Sequence, residues 1–146
     1  MNGRDFLDVA YDLLGGTREG DWRSTVSRAY YAGFHCARDF FTAAGFSVPM
    51  SDQVHIYLWR RLANSGHADI ELAGSAMEMF RGLRNWADYD VARPFDQTSA
   101  DKIIRRIEEV IGLLDALPSI PDAYRKVIDH MRVYEKDVLR QQTWGK

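Results

Sequence analysis

The stretch "RGLRNWADYDVARPF", Arg81 to Phe95, decides how this chain is read. Apolar residues lead into it at intervals of three and four: Leu72, Ala76, Met79, Phe80, Leu83, Trp86 and Ala87. That spacing predicts a helix from about Asp69 to Tyr89, with these residues as its core stripe. Arg81, Arg84 and Asp88 fall along the stripe's edge. Arg84 and Asp88 are four apart, so they can pair along the helix. Asn85, Tyr89 and Asp90 complete a polar helix end, and Pro94 forces the next step of chain to be extended.

Outward from this segment the same period recurs throughout, and no stretch alternates with period two for long. Asn2 is expected to cap a short first helix that ends at Gly15-Gly16. Asp21 is expected to cap a second, Trp22 to about Ala44, stopped by Gly45 and Pro49. Ser51 opens a third carrying Val54, Tyr57, Leu58 and Leu62, broken by "NSGHAD". A fifth is predicted from Ala100 to Leu117, with Thr98 and Asp101 as a capping-box variant. Ser119 and Pro121 restart the chain into a last helix reaching about Gln141. The expected fold is all-α, an antiparallel up-and-down bundle of five to six helices in a single domain, 1–146.

The predicted second helix has an unusual polar face. Val26, Ala29, Tyr30, Gly33, Ala37, Phe40 and Phe41 fall on its apolar side. Opposite lie Ser24, Ser27, Arg28, Tyr31, His35 and Arg38. A merely solvated face favours Lys, Glu and Gln. Here a guanidinium, a phenol and an imidazole recur at i, i+3 and i+7, groups that stack and hydrogen-bond. Arg28, Tyr31, His35, Arg84, Asn85, Asp88 and Tyr89 are therefore the candidate binding residues, expected to lie together.

Composition excludes little and permits much. The net charge of −2 gives no global argument for nucleic-acid binding, which would need a local basic surface. Arg60-Arg61 and the Lys102, Arg105, Arg106 group are read as solvated helix faces. One cysteine, Cys36, forms no internal disulfide, which suits a reducing cytoplasm. No apolar run approaches a membrane span, and the N-terminus lacks a signal core. His35, Cys36, His55 and His67 lack metal-ligand spacing. No metal or cofactor is expected.

"SRAYYAGFHCARDFF", "DQVHIYLWRRL" and "LRNWADYDV" together resemble the HEPN family of small helical-bundle proteins over about residues 20 to 115. The closest likeness is to its prokaryotic branch, marked by Ser-Arg-x-Tyr-Tyr-Ala and Arg-x-x-Ala-Asp-Tyr. The resemblance implies a homodimer associated with RNA or nucleotides. It also implies a defence or toxin–antitoxin setting beside a small nucleotidyltransferase partner. Many members are metal-independent ribonucleases that use an Arg followed four to six residues later by His. Here Arg84 and Asn85 are present, but Tyr89, Asp90 and Val91 stand where the His belongs. Neither Tyr nor Asp titrates near neutral pH as His does.

Three functions follow. The favoured one is a non-enzymatic protein binding RNA, a nucleotide or a partner protein through a polar cleft. The second is a ribonuclease with a variant centre, Arg84 holding phosphate and His35 or Tyr89 assisting. The third is a purely protein-facing subunit. For His35 the favoured reading is a packing residue; for Arg84 and Asp88, a structural salt bridge and a ligand-facing role are weighed equally.

Overall fold

A computed structural model describes residues 1–145. Six helices follow in order: α1 Asp5–Leu14, α2 Glu19–Ala43, α3 Val54–Ala63, α4 Ala68–Tyr89, α5 Gln97–Ala116 and α6 Pro121–Asp137, with a 3-10 turn Leu117–Ser119 before α6. The fold is all-α, as the period predicts. Among the described residues no helix is long and apolar enough to cross a membrane.

Helix ends depart from expectation where a different side chain reaches the open N–H groups. Helix α2 begins at Glu19, not Trp22, because Asp21 accepts from the backbone N–H of Arg18 at 3.2 Å. Asp21 thus closes the first turn from within it, as the second half of a capping box does. Helix α5 begins at Gln97, not Ala100, because Asp96 Oδ1 accepts from the Ser99 N–H at 2.7 Å. The Thr98–Asp101 box does not form: Asp101 pairs with Arg105 at 3.0 Å instead. Helix α6 stops at Asp137, not near Gln141, because Arg140 takes a left-handed φ of 56° and the chain turns back.

The chain divides into two compact units, Met1–Cys36 with Met79–Ile111, and Ala37–Glu78 with Gly112–Lys146. In the first, Val26, Ala29 and Tyr30 of α2 are fully buried, as are Ile104 and Ile107 of α5. Burying the valine and isoleucine side chains among these supplies about 1.5–3 kcal/mol each. Cys36 is buried, and the Arg4 guanidinium approaches its sulfur at 3.6 Å.

The second unit has a polar centre that the sequence did not announce. Arg61, expected on a solvated face, is 2% exposed and pairs with the fully buried Glu135 at 2.8 Å. The returning C-terminal segment completes this pair. Thr143 donates its N–H and its hydroxyl to Glu135, Gln141 accepts from Arg61 at 3.0 Å, and the Tyr57 hydroxyl meets the Thr143 hydroxyl at 2.5 Å. Arg60 stays exposed; Arg105 and Arg106 are half-exposed in surface ion pairs, as expected.

Helix α4 buries only part of the predicted stripe, Phe80 and Ala87, and adds residues that were not in it. Ile70, Ala73, Met77, Phe80 and Ala87 face inward, whereas Leu72 is 60% and Met79 58% exposed. Gly74 explains the rotation in the second unit. A Cβ there would sit 2.5 Å from the Ala63 backbone nitrogen, so α3 packs directly on the α4 backbone at that face. The inward stripe continues, at helical spacing, onto Arg84.

An arginine-centred seam between two helices

Helix α2 carries Arg23, Ser27 and Tyr31 four residues apart, hence on one face. Opposite them in the first unit runs the end of α4. Arg84 lies near the middle of this seam. Its Nη1 donates to the Tyr31 hydroxyl at 2.7 Å and its Nη2 to Asn85 Oδ1 at 2.7 Å. The guanidinium carbon is 5.4 Å from the Tyr30 ring centre and 5.3 Å from that of Tyr31, within cation–π range. Asp88 lies 4.0 Å away along the helix and accepts from the Ser27 hydroxyl at 3.3 Å. The Arg84 side chain is 13% exposed, and its buried Nε–H has no acceptor among the described residues.

A second cluster sits beside Tyr31 on α2. The Arg28 guanidinium lies over the Phe6 ring at 5.6 Å, and His35 stacks on that ring at 5.6 Å with an interplanar angle of 12°. Phe34 meets His35 edge-on at 5.2 Å and Tyr31 edge-on at 6.1 Å. Gly3 packs so closely on His35 that a Cβ there would collide with the imidazole's own Cβ. His35 thus lies between the Phe6 and Phe34 rings, against Gly3 of the N-terminal segment.

The predicted cluster forms in part. Tyr31, Arg84, Asn85 and Asp88 are linked directly. Arg28 and His35 adjoin them through Phe6 and Phe34. The Tyr89 residue is 77% exposed at the end of α4, and its side chain makes no hydrogen bond or ring contact with the others among the described residues. No group of three His, Cys, Asp or Glu side chains among the described residues is placed to hold a metal ion.

Sequence reasoning missed Arg23. It is 8% exposed, and its guanidinium donates to the carbonyls of Trp86 at 3.3 Å, Ala87 at 3.0 Å and Asp90 at 3.1 Å, and to that of Arg93. Its Nε donates to Glu19 at 2.8 Å, and Phe95 lies 6.0 Å from its charge centre. Arg93 stacks in turn on Trp86 at 3.6 Å. Two signals were available. Arg23 is in phase with Ser27 and Tyr31, one turn earlier. Helix α4 also ends without a glycine and without a basic residue in its last turn, leaving its final carbonyls in need of donors from elsewhere.

Chemically, the seam presents groups that orient and bind a ligand. The arginine is held by two neutral acceptors, two ring faces and the Asp88 carboxylate at 4.0 Å, and the His35 imidazole stacks on Phe6 nearby. Fold and seam define an all-α protein whose central arginine is clamped between paired helices. The chain belongs to the HEPN domain family, whose model matches residues 2–117, from the approach to α1 through the end of α5. No curated protein and no solved structure matches it.

Proposed function

We propose that this protein is a non-catalytic HEPN-type binding protein, dimeric and cytoplasmic, acting as one domain over 1–146. It recognises a phosphate-bearing ligand, RNA or a nucleotide, at the α2–α4 seam. Arg84 and Arg28 supply positive charge there, Tyr31 and Asn85 supply hydrogen-bonding groups, and Tyr89 offers an exposed ring for base stacking. The observation that carries the reading is the state of Arg84: a largely buried guanidinium held by Tyr31 and Asn85 with one donor, its Nε–H, still unmatched among the described residues. A toxin–antitoxin or defence role beside a small nucleotidyltransferase fits the family, with Tyr89, Asp90 and Val91 standing where many members carry His.

The test is to mix the purified protein with labelled single-stranded and structured RNAs, with and without EDTA, and follow both anisotropy and strand length. Retained RNA of unchanged length supports binding without cleavage. Metal-independent cleavage lost in His35→Ala and Arg84→Ala would replace this reading with a variant ribonuclease. Absence of retention at any RNA would leave the nucleotide and the protein-facing alternatives.

A further inference from the structure

We infer that Arg23 is the positioning residue of the seam: it terminates α4 from outside and so fixes the register in which Arg84 meets Tyr31 and Asp88 meets Ser27. The inference rests on the reading of that seam as the binding site, and it adds the group that holds the seam in place.

The last carbonyls of any helix lack intrahelical donors. The usual remedies are a left-handed glycine just past the end or a basic side chain in the last turn. Helix α4 has neither. Arg23, more than sixty residues away in sequence, supplies donors there: it binds the Ala87 carbonyl, joins the Asp90 N–H on the Trp86 carbonyl, and reaches the carbonyls of Asp90 and Arg93 in the segment that follows the helix. A planar five-donor fork can serve four carbonyls and the Glu19 carboxylate together; an ammonium with three donors cannot.

The consequence is geometric. Arg23, Ser27 and Tyr31 are successive rungs on α2, and the α4 terminus, Asp88 and Arg84 are the rungs they meet. Locking the first rung sets the other two. Asn85 and Asp88 lie within the same last turn, so a frayed α4 terminus displaces them first.

The test compares wild type, Arg23→Gly, Arg23→Lys and Glu19→Gln by amide hydrogen exchange, Arg84 side-chain NMR and RNA anisotropy. Arg23→Gly is expected to lose protection at the Asp90 and Arg93 amides, shift the Arg84 side-chain signals and weaken RNA binding about tenfold, the equivalent of ~1.4 kcal/mol. Millimolar guanidinium, far below denaturing levels, restores all three by refilling the vacancy. Arg23→Lys recovers only in part, and Glu19→Gln changes little. A folded Arg23→Gly with unmoved Arg84 signals overturns the inference. So does a loss that guanidinium fails to repair, since that marks general destabilisation. If wild type binds no RNA, the RNA part of the binding proposal fails by itself, while exchange and Arg84 signals still decide the role of Arg23.

Discussion

The Arg84 guanidinium donates to the Tyr31 hydroxyl at 2.7 Å, joining two helices whose residues are fifty-three apart in sequence. That bond, with the two tyrosine ring faces, makes a long charged side chain part of an inward stripe. Arginine tolerates this because its charge is spread over a plane that stacks and is weakly hydrated.

Tyr31→Phe keeps the ring but removes the acceptor, leaving a largely buried charged donor without its partner. The expected loss is about 1–3 kcal/mol in urea unfolding. Arg84→Ala removes the stacking as well and leaves Asp88 with only Ser27. It is expected to destabilise more than Tyr31→Phe, and the double variant less than the sum, with coupling of about 0.5–3 kcal/mol. Additive losses would mean that the two side chains act independently.

The Arg61–Glu135 pair in the second unit should be far less tolerant of a single change. Glu135→Gln or Arg61→Met strands one buried group, at a cost of about 3–5 kcal/mol. The double replacement Arg61→Met with Glu135→Leu should recover much of that, since neither partner is then left charged. Urea midpoints of the four proteins read this directly. A double variant weaker than both singles would refute it.

Gly74→Ala places a methyl 2.5 Å from the Ala63 nitrogen and 2.9 Å from the Leu62 carbonyl carbon, where backbone must yield. The expected loss is about 1–3 kcal/mol. Gly82→Ala is the control, because a Cβ there meets nothing within 4 Å and the helix gains propensity. Thermal unfolding should lower the first variant and slightly raise the second.

Hydrogen bonds from the Ser99 backbone and side chain hold the Asp96 carboxyl below its ordinary value of 3.8. A lowered folded-state value stabilises the protein once pH exceeds 3.8, and the gain disappears as pH falls through the lower folded value. Melting temperatures of wild type and Asp96→Ala should therefore differ near neutrality and converge in acid. A gap that persists at the acid end would assign the cap to shape instead of charge.

Much of the fold was legible because helices are local. The stripes of α3 and α5 are buried as predicted, from Leu58 and Leu62 to Ile104, Ile107 and Leu114. Period, caps and breakers act within a few residues, so the sequence displays them. The family was legible for a similar reason: "SRAYYAGFHCARDFF" and "LRNWADYDV" are contiguous strings.

Three things waited for the tertiary structure. Helix α4 carries apolar residues on more than one face, and only the tertiary structure shows that Ile70, Ala73 and Met77 turn inward while Leu72 and Met79 stay exposed. Arg61 and Glu135 look like surface charges until the C-terminal segment folds back to supply Thr143 and Gln141. Arg23 looks like one more basic residue until the end of α4 and the segment after it bring four carbonyls within its reach. Sequence by itself determined which segments are helices and which family they belong to, because those depend on short-range pattern. Tertiary structure decided which faces are buried and which charges are neutralised, because burial and pairing belong to partners that no local pattern names.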